Sequence, residues 1–275
     1  MLNLSHNLIT LFSGFGRLQH LTIRAPERTA ILANCFIEPI KHLPLLESLE
    51  LAHVLMGDGA EYENLPTCIS NLTNLKQLIL KDVELLDRGW AYHKSPPQLV
   101  NLVIHDCLPL RISDMPWFIE TWVPQLTHFD IKFHNEVSDI DHNLPIFDPD
   151  DYLISLPALT HLTIWPNDDC PFIRSFADCK TLRHLKVYQL PNYDAFDYLS
   201  DMESEEVSEL SDFLTSHVFP NLKTVALHID YDIWPLDPAS LKRLKGICRS
   251  KGIRFSKVAE NAKEKLLHNP MHFHC

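Results

Sequence analysis

Residues 157–165 read PALTHLTIW, and residues 124–132 read PQLTHFDIK. Both set a leucine two residues after a proline, then apolar residues three and five positions further on. The same frame returns along the chain as Leu18/Leu21/Ile23, Leu46/Leu49/Leu51, Leu75/Leu78/Leu80, Leu99/Leu102/Ile104, Leu126/Phe129/Ile131, Leu159/Leu162/Ile164, Leu182/Leu185/Val187 and Leu222/Val225/Leu227. The last two positions of each frame alternate with polar residues, which is the period of a strand buried on one face.

This frame is the leucine-rich repeat signature. Each repeat contributes one strand that must stack beside the next to bury its leucines, so the predicted fold is α/β: a leucine-rich-repeat solenoid, with a curved parallel sheet on the concave side and helices and loops on the convex side. Residues 1–258 read as one repeat domain and 259–275 as a tail. Repeat spacings between 23 and 40 residues imply connections of variable length. The longest holds an acidic insertion, 194–212, without lysine or arginine, which reads as an exposed loop leading into a helix. Apolar periodicity predicts helices over Arg28–Ile40, Met115–Trp122, Tyr152–Leu156, Phe172–Ala177, Val207–Val218 and Pro238–Arg249. Pro44, Pro97, Pro124, Pro157 and Pro220 precede five of the first leucines, where they are expected to stop a helix and extend the chain into the strand. A ninth, degenerate strand is expected at Gly252–Phe255, with Phe255 matched to Leu227.

The formal charge is −12, and the basic residues read as dispersed, so no general attraction to nucleic acid or to anionic membranes is expected. Seven scattered cysteines without a C-x-x-C pair suit a reducing compartment, and no segment at the start reads as a secretory signal, so a cytoplasmic or nuclear location is expected. Cys35, Cys107 and Cys248 read as small core residues. The apolar segment Leu2–Phe12 reads either as the cap of the first repeat or as the continuation of a segment upstream. Converging nucleophile and base, paired carboxylates or a phosphate-cradling glycine loop are not visible, so the chain is expected to be non-enzymatic and to need no cofactor.

Strand alternation assigns the residues on the concave face. The basic set Arg24, Lys81, Lys132, Lys186 and Arg254 then faces only Glu50 and Asp130, on a molecule that is acidic overall. Trp165 and Tyr188 fall on adjacent repeats, flanked by His161, His184 and Lys186, as anchors for a protein partner. With His105, His128 and His228 these form the candidate binding face, suited to an acidic or phosphorylated protein segment. His20, His128, His161 and His184 share one frame position. A metal ladder there is not predicted, because histidine also serves there as a polar strand residue carried along by repeat drift, and none is predicted at His268, His272, His274 and Cys275, whose spacing matches no closed zinc motif.

The units LPLLESLEL, PPQLVNLVI, VPQLTHFDI, LPALTHLTI and FPNLKTVAL, with the closing GIRF, resemble the leucine-rich-repeat half of fungal F-box proteins. That resemblance implies substrate recognition within a ubiquitin ligase, where an F-box docks on the cullin adaptor and the repeats hold the substrate. The residues before Leu18 carry no F-box motif, so adaptor docking depends on an F-box upstream and transfers to no residue here. The alternatives are a free-standing scaffold or inhibitor, or a regulator of a small GTPase resembling the Ran GTPase-activating proteins.

Overall fold

The computed structural model describes residues 15–26, 29–55, 64–84, 88–107, 115–132, 153–165, 172–188, 205–216, 218–229 and 238–259. The strands are β1 (His20–Arg24), β2 (Ile31–Leu32), β3 (Ser48–Leu55), β4 (Gln77–Val83), β5 (Asn101–His105), β6 (His128–Lys132), β7 (His161–Trp165), β8 (His184–Tyr188), β9 (Thr224–Ile229) and β10 (Arg254–Ala259). All belong to one parallel sheet in the order β1-β3-β4-β5-β6-β7-β8-β9-β10, with the two-residue β2 paired to β3 beyond the end of β1. The fold is therefore the α/β curved parallel-sheet solenoid expected from the leucine frame.

Pairing is in register with that frame: Leu49 opposes Leu78, Leu78 opposes Leu102, Phe129 opposes Leu162, and Leu162 opposes Leu185. Strands β3 to β9 are entered the same way. The N–H groups of Lys76 and Gln77 both donate to the Glu47 carbonyl, those of Thr160 and His161 to Thr127, and those of Arg183 and His184 to Thr160. Stacking the repeats makes one continuous core, from Ala33 to Ile253. Its bulkiest buried side chains are Trp90 and Trp122; Trp122 stacks on Phe118 at 5.4 Å between ring centroids and meets Trp90 edge-on at 5.5 Å.

The connections carry α1 (Ile37–Lys41), α2 (Asn64–Ser70), α3 (Met115–Trp122), α4 (Glu205–Thr215) and α5 (Pro238–Ser250), together with 3-10 segments at Ala33–Cys35, Arg88–Tyr92 and Phe172–Phe176. Neighbouring connections pack on one another: α1 on α2, α3 on Arg88–Tyr92, and α4 on α5. Among the described residues no helix is long and apolar enough to cross a membrane.

Several expected elements differ. The first helical stretch is divided, because Ile31 and Leu32 pair with Val54 and Leu55 and only Ile37–Lys41 closes into an α-helix. Leu153–Leu156 forms no helix. Its Ile154 N–H donates to the Ser175 carbonyl at 2.6 Å, and a five-residue stretch ending before Pro157 is too short to nucleate a helix and is disfavoured from the helical region at its last residue. Phe172–Phe176 is 3-10 rather than α, and α4 runs Glu205–Thr215 rather than 207–218.

The prolines act one step later than expected. The N–H of each first leucine reaches back three residues, Leu46 to Leu43, Leu126 to Val123, Leu159 to Leu156 and Leu222 to Phe219, at 3.1–3.3 Å. Proline therefore occupies the second position of a tight turn, where its fixed φ is already correct. Leu72–Leu75 and Cys179–Leu182 make the same turn without it. The residue before the first leucine ties these turns together: Asn74 donates to the Pro44 carbonyl at 2.7 Å, Thr181 to Pro157 at 2.9 Å, and Asn221 to Lys180 at 2.8 Å.

The last strand is also shifted. β10 starts at Arg254, and Phe255 opposes Val225 rather than Leu227, so the register lies two residues from the expected one. The apolar segment Leu2–Phe12, most of the acidic insertion and the histidine-rich tail lie outside the described residues.

Candidate partner-binding face

The strand alternation places three rows on the exposed face of the sheet. One runs His20, Ser48, Gln77, Asn101, His128, His161, His184, Thr224 and Arg254 across successive strands. Residues two positions on form the middle row, with Glu50, Asp130 and Lys186, and two further on lies the row of Arg24, Ala52, Lys81, His105, Lys132, Trp165, Tyr188 and His228. Ala52 departs from this scheme and is buried, its methyl group being too short to emerge between Arg24 and Lys81.

The first row brings His128, His161 and His184 together as face-to-face rings, with centroids 4.0 Å and then 4.3 Å apart. His20 stays apart, three intervening strands away. Thr127 Oγ1 donates to the Val100 carbonyl and Thr160 Oγ1 to the Thr127 carbonyl, so each hydroxyl can only accept from the imidazole beside it. This assigns the proton of His128 and of His161 to Nδ1, at 2.9 Å from the hydroxyl in both cases. Rings stacked flat send their lone pairs out side by side rather than toward one point. Consistent with this, no three histidine, cysteine or acidic side chains among the described residues are grouped to hold a metal ion.

Burial, followed by the charges of His128 and His184, pushes the His161 imidazole down to about 4. Burial and His184 also lower His128. At the end of the third row, burial and then the Lys186 charge take His228 to about 4. These rings stay neutral in the fold while the unfolded chain protonates near 6.5, so they contribute stability above that pH that is lost as pH falls toward about 4. The denaturant midpoint is therefore expected to drop between about pH 7 and pH 5, and His161→Gln should shrink that drop. An equal drop in the variant would contradict the assignment.

The basic residues of the third row are largely compensated. Glu50 Oε1 accepts from Arg24 at 2.8 Å and from Lys81 at 3.2 Å. Burial by itself would raise the Glu50 carboxyl, but these two hydrogen bonds outweigh it and hold the pKa below 4.5. Lys132 pairs with Asp106 Oδ2 at 2.8 Å. The expectation of five bases against two acids omitted Asp106 because it stands one residue beyond the strand. A φ of 53° turns it back onto the face, and His53 and Asp82 take the same left-handed geometry at the equivalent positions of β3 and β4. Aspartate tolerates that region better than most residues, which is the signal that could have found it. His53 and Asp82 also meet, at 2.7 Å.

The remaining feature is an aromatic column. Trp165 and Tyr188 stack with centroids 3.4 Å apart and planes 6° from parallel; Tyr188 continues to His228 at 4.4 Å, and His105 meets Trp165 edge-on at 5.7 Å. Asp130 Oδ1 anchors the column, accepting from Trp165 Nε1 at 3.2 Å and from His105 Nε2 at 2.8 Å. Lys132 lies 5.9 Å from the Trp165 ring and Lys186 4.4 Å from that of Tyr188, and Lys186 also donates to the Tyr188 hydroxyl. Both aromatic rings remain part-exposed. Of the residues expected on this face, the structure thus gathers His105, His128, Lys132, His161, Trp165, His184, Lys186, Tyr188 and His228 over β5–β9. Arg24 and Lys81 lie on the β1–β4 side, around Glu50.

The thiols play a packing role. Burial pushes Cys107 up to about 12 and Cys68 and Cys179 up to about 11, so these groups stay protonated at neutral pH. Cys248 is buried as expected, whereas Cys35 is only half-buried.

One stretch was misjudged as ordinary. Residues 238–257 contain Lys242, Arg243, Lys245, Arg249, Lys251, Arg254 and Lys257 and not one acid, which a running charge count would have revealed. The basic residues are therefore not dispersed, and their densest group belongs to α5 and β10.

No family model matches the chain, and no curated protein matches it either.

Proposed function

We propose that this protein is a non-enzymatic binding scaffold whose exposed sheet face over β5–β9 holds an extended segment of a protein partner. The observation that carries this reading is the Trp165–Tyr188–His228 column, ordered by Asp130 and left part-exposed. A preformed stack of large rings offers contact area at small further entropic cost, which is how hot spots at interfaces work. From β5 to β9 the strands span about 19 Å, the reach of roughly six extended residues. Lys186 favours an acidic or phosphorylated segment, although the ion pairs of Arg24, Lys81 and Lys132 and the neutrality of His161 and His228 reduce that attraction.

Within this reading, the resemblance to fungal F-box proteins favours a role in substrate recognition for a ubiquitin ligase, with a free-standing scaffold or inhibitor as the alternative. Its test is the 5′ end of the native transcript together with a pull-down of the encoded protein on the cullin adaptor. An F-box with adaptor binding supports that role, and stable partner binding without ubiquitin transfer supports an inhibitor or scaffold instead.

Replacing Lys132, Trp165, Lys186 and Tyr188 together by alanine is expected to weaken partner binding by at least about 2 kcal/mol, roughly thirtyfold in Kd. Alanine at Tyr92 and Trp117, an exposed aromatic pair 5.6 Å apart on the connections, should leave it unchanged. Isothermal titration of both variants against the partner decides the matter, and equal affinities would overturn the reading.

A further inference from the structure

The bases that strand alternation nominated are mostly occupied; the accessible ones lie on the last described repeat. Seven of the chain's 24 lysines and arginines, and none of its 36 acids, fall within residues 238–257. Arg243, Lys251 and Lys257 are engaged. Arg243 pairs with Asp212 Oδ1 at 2.6 Å, and Lys251 Nζ caps α4 by donating to the carbonyls of Leu214 and Thr215. Lys245, Arg249 and Arg254 are exposed and form no ion pair among the described residues.

These three converge on a cleft of about 550 Å³ between the end of α5 and the start of β10, with Gly252, Ile253 and Phe255 as its apolar floor. Gly252 sits at φ 69°, the left-handed turn that ends the helix, and the space where a Cβ would stand is open. The helix-end carbonyls of Ile247, Cys248 and Arg249 accept from the N–H groups of Lys251, Ile253 and Gly252, which offsets part of their negative partial charge at the cleft. Lys245 lies 6.0 Å from the Phe255 ring, which leaves its ammonium facing the same opening. The site thus combines three cations, two of them planar guanidinium groups suited to carboxylates, with an apolar floor.

We propose that this cleft binds a carboxylate-rich segment of a protein partner. The charge distribution favours a short acidic segment over an extended polyanion. Outside residues 238–257 the chain keeps only the other 17 bases against all 36 acids, so a nucleic acid or an anionic bilayer running past the terminal repeat meets repulsion. A segment confined to the cleft is screened from that acidic surface over a Debye length of about 8–10 Å. The proposal does not depend on the aromatic column, although Arg254 continues the row of His184 and Thr224 toward it.

The test is fluorescence anisotropy of a short labelled oligoglutamate peptide with the full chain. Binding should weaken as salt rises, fall by about tenfold or more in the triple variant Lys245→Gln, Arg249→Gln, Arg254→Gln, and stay unchanged in Tyr92→Ala, Trp117→Ala, at the exposed aromatic pair on the connections. Because the three residues are exposed, an unchanged thermal melt confirms that the triple variant is folded; should it melt early, Lys245→Glu with Arg249→Glu serves in its place. Unaltered oligoglutamate binding in the folded variant overturns the proposal. So does tighter binding, at the same salt, of duplex DNA or of phosphatidylserine vesicles.

Discussion

Leu162→Ala is expected to lower the unfolding free energy by about 2–5 kcal/mol. Leu162 is the second residue of β7, fully covered, with Phe129 and Leu185 on the flanking strands at the same register. The backbone ladders on both sides fix those neighbours, so the space left by the isobutyl group cannot close by a shift of one strand. In a solenoid each repeat is stabilised mainly by its neighbours, and a defect at this position weakens two interfaces at once. Denaturant unfolding checks it, with Thr163→Ala on the opposite face of the same strand as the control, expected within about 0.5 kcal/mol of the parent. An unchanged midpoint for Leu162→Ala would contradict the assigned frame.

Trp122→Ala should cost about 3–5 kcal/mol. The indole is buried between Phe118 and Trp90 and joins α3 to the neighbouring 3-10 segment at Arg88–Tyr92. Its Nε1 has no hydrogen-bond partner among the described residues. A buried donor without a partner destabilises the native state, so Trp122→Phe removes that penalty along with some packing and should cost far less than the alanine change. Urea titration of the two variants separates the contributions; equal losses would mean that the indole N–H is satisfied in solution.

The solenoid itself was legible because its signal is local and repeated. A five-residue strand displays its buried and exposed sides through alternation alone, and eight copies of Leu-x-x-Leu-x-Leu reinforce one another. For the same reason the rows of the exposed face could be assigned residue by residue, and Leu49, Leu78, Leu162 and Leu185 stand where the frame puts them. Connections were harder. Leu153–Leu156 has helical spacing but is drawn into a backbone bond with Ser175, a residue of the next repeat, and tertiary pairing outweighs propensity in so short a stretch. β10 slipped by two because Ile253 and Phe255 offer two apolar anchors and only the pairing with β9 chooses between them.

Thus the sequence by itself determined the α/β repeat architecture, the in-register strands of the eight leucine frames and most of the membership of each face, since strand period and leucine spacing act over a few residues. It also held the unbroken basic run of 238–257 in plain view. Only the tertiary structure decided which charges are available. Arg24 and Lys81 converge on Glu50, Lys132 finds Asp106 through a left-handed backbone turn, and Trp165 lies flat on Tyr188. Such pairings join side chains more than twenty residues apart and depend on rotamer and φ, quantities that a repeating apolar frame does not encode.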